Sequence, residues 1–146
     1  MRTTIDTRIQ RGLQAECAES ISPVIEEAKA QLNAYFAGER TTFDLSLRMV
    51  GTDFQQRVWK ALLAVPYGTT MSYAELTAKV AEPTAIRAVA AANGANALSI
   101  LVPCHRIIGS NGEMTGYAGG VGVKRRLLGL EGVRRLVADL FRAVQC

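Results

Sequence analysis

The chain has 146 residues, 49% hydrophobic and 21% charged, the proportions of a single soluble globular domain. It lacks both a run of about eighteen apolar residues and an apolar leader at Met1–Ile5, which argues against a membrane span or a secretory signal and points to the cytoplasm or nucleoid. Net charge is +4, with six basic and seven acidic side chains in residues 1–50 and eleven and six in residues 51–146, a late basic surplus compatible with nucleic acid.

Taken in chain order, Thr3-Thr4-Ile5-Asp6-Thr7 reads as a short strand. Ser22 is an N-cap and Pro23 a first helical residue. Ile25, Ala28, Leu32 and Tyr35/Phe36 continue at helical spacing, which predicts a helix over about 22–37, stopped by Gly38. Phe43, Leu45 and Leu47 alternate with polar residues and predict a strand over about 43–48. Thr52 with Gln55 forms a capping box ahead of Phe54, Val58 and Leu62, and Pro66-Tyr67-Gly68 ends that helix. Ser72 with Glu75 is a second capping box, opening a short helix to Val80. After Glu82-Pro83-Thr84 a third helix runs from about Ala85 to Asn93, closed by Gly94. Two short helices across a tight turn suggest a helix-turn-helix. Leu98-Ser99-Ile100-Leu101-Val102 is an apolar extended run, stiffened by Pro103. Gly109-Ser110-Asn111-Gly112 is a turn, and Thr115-Gly116-Tyr117-Ala118-Gly119-Gly120 is a loop whose amides can approach a ligand closely. Helices follow at about 121–130 and 134–144.

The chemistry gathers at Cys104. Cys17, Cys104 and Cys146 give no CxxC pair and no Cys/His ligand pattern, so neither a disulfide framework nor a metal site is expected. His105, the sole histidine, follows Cys104 directly. A thiolate is the nucleophilic form of cysteine, and a neighbouring base supplies it. Adjacent side chains in an extended chain point apart, so His105 needs either a bend or a bridging water to reach Cys104. A carboxylate behind His105 completes a triad, and Glu131 and Glu113 are both candidates. The bland alternative is a small buried core cysteine. The helix at 85–93 is unusual: Ala85, Ala88, Ala90, Ala91 and Ala92 surround one long polar side chain, Arg87. It offers few groups for a major groove, but its slim surface suits a minor groove with Arg87 as a wedge. A solvent-facing Arg87 on a tightly packed helix is the alternative.

These residues, over about 51–132, resemble the O6-alkylguanine-DNA alkyltransferases. The resemblance lies in Gly51-Thr52-Asp53-Phe54-Gln55-Gln56-Arg57-Val58-Trp59, Ser72-Tyr73, Arg87-Ala88-Val89, Asn96, Ile100-Leu101-Val102-Pro103-Cys104-His105-Arg106, Gly116-Tyr117-Ala118-Gly119-Gly120, Lys124 and Leu127-Leu128 with Glu131-Gly132. It implies an α+β fold. A mostly helical domain at 51–146 would carry the helix-turn-helix, winged-helix-like, and the active cysteine, behind an abbreviated α/β segment at 1–50. It also implies direct-reversal DNA repair: one alkyl group passes from O6-alkylguanine, or O4-alkylthymine, to Cys104, once per molecule and without a cofactor. His105, a water and Glu131 would generate the thiolate, and Asn96 would brace the active-site turn. Tyr73 would donate a proton to the guanine ring. Arg87, Tyr73, Ala88 and Ala92 would meet DNA. Tyr117, Ala118, Ile107 and Met114 would line the pocket, with the Cys104 and Ile107 carbonyls receiving the guanine amino group. The implied partner is double-stranded DNA carrying the lesion, with no membrane and no obligate protein partner.

The chain departs from the family in three ways. Only fifty residues precede Gly51, where the family has a larger antiparallel-sheet domain. The zinc ligands of some members have no match, and Ala90 stands where glycine is common. Competing readings are a non-catalytic lesion binder, which would usually lack the cysteine, a transcription regulator, and an unrelated thiol hydrolase acting without DNA.

Overall fold

The computed structural model describes residues 2–16 and 18–133. The helix expected at about 134–144 lies outside the described residues. Among the described residues six α-helices follow one another as α1 Arg2–Leu13, α2 Pro23–Phe36, α3 Asp53–Leu63, α4 Tyr73–Val80, α5 Ile86–Gly94 and α6 Val121–Leu130. Two two-residue strands, β1 Met71–Ser72 and β2 Ile107–Ile108, pair in parallel with Met71 opposite Ile107 and Ser72 opposite Ile108. They are the only named strands among the described residues. No described helix is long and apolar enough to cross a membrane.

The helix starts are written in side-chain-to-backbone hydrogen bonds. Ser22 Oγ accepts from the Ile25 amide ahead of α2. In both capping boxes the bonds run in the two directions: Gln55 N to Thr52 Oγ1 at 3.2 Å and Thr52 N to Gln55 Oε1 at 3.0 Å, then Glu75 N to Ser72 Oγ at 3.1 Å and Ser72 N to Glu75 Oε2 at 2.8 Å. These pairs satisfy amides that a helix start leaves without partners. Gly38 lies at φ +76°, just past the end of α2.

The core sits where α3, α4 and α5 meet. Val58, Trp59, Leu62, Leu76, Val89, Val102 and Ile107 are buried there, and Trp59 Nε1 donates to the Ala92 carbonyl at 2.8 Å. A smaller cluster of Ile108, Leu128 and Val133, with Met114 against it, closes the side toward α6.

Four sequence expectations change. Residues 3–7 are not a strand but part of α1. Ile5, Ile9 and Leu13 recur every four residues, and Ile9 and Leu13 line a small apolar cavity of about 110 Å³ with Met49, Val50 and Trp59. A strand there would have no neighbour to receive its backbone groups. Residues 43–48 do alternate between half-buried and exposed, yet they pair with no strand. Instead the Gln31 side chain acts as a substitute peptide, accepting from Asp44 N at 2.9 Å and donating to Asp44 O at 3.1 Å. The N-terminal segment is therefore helical with an extended arm, not α/β. The run 98–102 is a tight turn, closed by Val102 N on Leu98 O at 2.8 Å with Ile100 at φ +75°. A β-branched residue in that region carries strain, and it sits four residues before Cys104. Finally, Gly94 is the last residue of α5, and Ala95 caps the helix in right-handed geometry.

Candidate active site

The β1–β2 pair fixes the site. It holds Met71 opposite Ile107 and Ser72 opposite Ile108, and so brings Tyr73, at the start of α4, near the one turn of 3-10 helix, Cys104–Arg106, that Ile107 follows. Side chains on such a turn diverge by about 120°, so three consecutive residues enter three neighbourhoods. All three are buried, with His105 at 0% exposure.

Cys104 points to Asn96. The Asn96 amide donates to Cys104 Sγ at 3.2 Å and to the Val102 carbonyl at 2.8 Å, while its Oδ1 accepts from Leu98 N. One side chain thus ties the strained turn to the sulfur. Burial pushes the thiol pKa up, against the pull of Asn96 and the Lys124 charge. The resting sulfur is accordingly a thiol, and a base must take its proton.

The bend required to aim His105 is present, but His105 does not bond Cys104 directly. Its Nε2 meets Glu131 Oε1 at 2.7 Å, and its buried Nδ1 has no protein partner. Glu131 is the carboxylate brought to His105. Glu113 is exposed on the turn, where its amide bonds Asn111. Glu131 is densely satisfied. Oε1 also accepts from Tyr35 Oη at 2.7 Å and Arg106 Nη2 at 3.0 Å, and Oε2 accepts from Arg106 Nε at 2.9 Å and Gly68 N at 3.2 Å. Gly68 makes its bond at φ +73°, and a Cβ there would lie 3.0 Å from the Glu131 carbonyl, so the turn favours glycine. Burial alone would raise the Glu131 pKa, but its bonds to His105, Arg106 and Tyr35 outweigh burial and hold it at about 2.

A cleft of about 560 Å³ opens between α5 and the glycine-rich loop, lined by Tyr73, Arg87, Ala90, Asn93, Tyr117 and Ala118 among others. Tyr73 and Tyr117 also pack on the core cluster that contains Cys104. Burial raises both hydroxyl pKa values, that of Tyr117 to about 12, and a thiolate at Cys104 adds to each. Both therefore stay protonated donors at neutral pH.

Lys124 on α6 is fully buried. Its Nζ donates to the Ile107 carbonyl and, at 3.1 Å, to the Thr115 carbonyl, and it lies 5.9 Å from the Tyr73 ring centroid. This one side chain ties β2 to the glycine-rich loop.

Not every expected site residue gathers here. Arg87 and Ala88 are exposed on α5, with Arg87 at the cleft. Ala92 is buried, with its carbonyl on Trp59, so it faces the core rather than the outer surface. At helical spacing it falls three residues beyond Val89, on the core stripe. Met114 packs on Ile108, Leu128 and Val133, away from the cleft lining. The Ile107 side chain is core, and its carbonyl is already engaged by Lys124. Among the described residues no group of three His, Cys, Asp or Glu side chains is arranged to hold a metal.

Residues 53–133 match the family pattern described as the DNA-binding domain of 6-O-methylguanine DNA methyltransferase. The chain belongs to that family. The methylated-DNA–protein-cysteine methyltransferase of Mycobacterium bovis is 61% identical over 110 residues, covering 75% of this chain and 66% of the relative. The constitutive methylated-DNA–protein-cysteine methyltransferase of Bacillus subtilis is 54% identical over 111 residues, covering 75% and 67%. The crystal structure of Mycobacterium tuberculosis OGT in complex with DNA superposes with a TM-score of 0.71 at 59% identity, covering 74% of this chain and 66% of that one. This methyltransferase-family chain thus matches just under two thirds of the length of the mycobacterial relatives.

Three residues of this site escaped the sequence reading. Tyr35 was read only as part of a buried helix face, Gly68 only as a breaker, and Arg106 only as part of a motif. Tyr35 carried a signal, because a buried tyrosine needs a partner for its hydroxyl.

Proposed function

We propose that this chain repairs DNA by transferring an alkyl group from O6 of guanine to Cys104. The observation that carries the reading is the buried pair His105–Glu131, joined at 2.7 Å, next in sequence to a thiol that is itself held by Asn96. His105 takes the thiol proton at Nδ1 through a water, and Glu131 stabilises the resulting imidazolium. The thiolate then attacks the alkyl carbon. A sulfur–carbon bond forms, the carbon–O6 bond breaks, and its electron pair stays on guanine. The Tyr73 hydroxyl protonates the guanine ring and regains its proton from solvent. A saturated carbon needs no oxyanion hole, and the thioether product resists hydrolysis, so each molecule reacts once. O4-alkylthymine presents the same carbon–oxygen bond and is a second substrate of the same kind.

Such chemistry requires the base outside the helix stack. In this reading α4 and α5 form a helix-turn-helix whose second helix enters the minor groove. Arg87 fills the vacated space, and the flipped nucleotide occupies the cleft between Tyr73 and Tyr117. The alanine-lined face of α5 suits a close approach, because it carries only one long polar side chain, Arg87. Residues 51–146 act as the reacting domain, and the protein works on DNA in the cytoplasm.

The test separates binding from transfer. Cys104→Ser should still retard a duplex containing O6-methylguanine while transferring no methyl. Wild-type protein that binds the lesion and never becomes methylated would instead favour a non-catalytic lesion binder.

A further inference from the structure

Tyr35 belongs to α2 in the N-terminal segment, yet its hydroxyl ends inside the Glu131 site. It donates to Oε1 at 2.7 Å, the same oxygen that meets His105 Nε2 at 2.7 Å and Arg106 Nη2 at 3.0 Å. The ring is fully buried and held edge-on by Phe36 at 5.4 Å and Tyr67 at 6.1 Å. Its hydroxyl therefore has one place to donate. Burial and the adjoining carboxylate both raise its pKa, so it remains a donor wherever the protein works.

We propose that Tyr35 is a positioning residue that draws charge from Glu131 and thereby sets the pH at which Cys104 is activated. The inference rests on the reading of His105 as the base for Cys104. A carboxylate oxygen shared among three donors offers less to each of them. With Tyr35 in place, Glu131 stabilises a protonated His105 less than an unshared carboxylate would. Arg106 has the same effect on both oxygens, and the Gly68 amide acts on Oε2. The remaining ionisable groups nearby are Tyr67, whose ring lies 5.8 Å from the Arg106 guanidinium, and Lys124, Tyr73 and Tyr117 around the thiol. None of these four bonds Glu131. The N-terminal segment thus contributes an atom to the relay, and its docking and the reactivity of Cys104 are one property.

The experiment follows alkylation of Cys104 by free O6-benzylguanine, read by mass, across about pH 5 to 9 in the full chain and in Tyr35→Phe. Phenylalanine keeps the ring and removes the donor. The midpoint of the rate profile should rise by roughly half to one pH unit, the equivalent of one hydrogen bond, because an unshared Glu131 holds His105 in its protonated form to higher pH. A purely structural tyrosine would lower the rate at every pH and leave the midpoint in place. An unmoved or lowered midpoint overturns the proposal. If wild-type Cys104 takes no benzyl group at any pH, the alkyl-transfer reading itself fails and the inference falls with it. A measurement on the unsubstituted protein covers a Tyr35→Phe variant that does not fold. Proton NMR should show a slowly exchanging hydroxyl proton in contact with the ring of the sole histidine, and its absence overturns the proposal.

Discussion

Arg106 holds Glu131 in a two-pronged grip, Nε on Oε2 at 2.9 Å and Nη2 on Oε1 at 3.0 Å, with both side chains out of water. Its remaining Nη1 donates to the Val65 carbonyl at 2.7 Å, beyond the end of α3. The arginine next to Cys104 and His105 in sequence therefore joins the Cys104–Arg106 turn to the segment after α3 and to the end of α6. With His105 and Tyr35, it donates the hydrogen bonds that keep this buried carboxylate ionised.

Removing one partner of such a pair leaves an uncompensated charge. Arg106→Ala should lower stability by about 3–5 kcal/mol, measured by urea unfolding. Arg106→Lys should recover only part of the loss, because an ammonium cannot form the fork. A variant as stable as wild type would mean that the pair contributes nothing net.

The same carboxylate gives a pH signature. In the folded state the Glu131 pKa is about 2, against an ordinary 4.5. A depressed carboxylate contributes stability that is complete above the unfolded value and disappears as pH falls through the folded one. The window therefore runs from about pH 4.5 down to 2, and the contribution is on the order of 3 kcal/mol. Glu131→Gln should show a lower melting temperature at neutral pH and a flatter decline across that window. Parallel curves for the two proteins would contradict the assignment.

Arg87 has a role that DNA alone should reveal. Arg87→Ala should slow methyl transfer from duplex DNA by at least about tenfold, near 1.4 kcal/mol in the barrier, while reaction with free O6-benzylguanine stays close to wild type. Equal losses on both substrates would remove Arg87 from the duplex-wedging role.

What the sequence made legible was local or chemically specific. Ser22, Thr52 and Ser72 announced helix starts because a cap reads only three residues ahead. Cys104, His105 and Arg106 were visible as a run, but the choice of Glu131 over Glu113 came from family resemblance. The physical reason appears only in three dimensions, where Gly68, Tyr35 and Arg106 converge on one carboxylate. The misplaced elements share a different cause. Thr3-Thr4-Ile5 favours a strand locally, but the helix lets Ile9 and Leu13 cover Val50 and Trp59. Residues 43–48 have the alternation of a strand and lack the partner that would make them one. Ala92 and Met114 were placed by family resemblance, yet a single helical step turns Ala92 to the core. The tie between Lys124 and Thr115 spans nine residues and no periodicity encodes it.

The central claim is that Cys104 receives one alkyl group and keeps it. Intact-protein mass spectrometry after incubation with excess duplex containing O6-methylguanine tests this most directly. The mass should rise by one methyl group per chain and stop there, with the methyl on the Cys104 peptide. Continued conversion of DNA by unmodified protein, or a methyl on any other residue, would contradict the account.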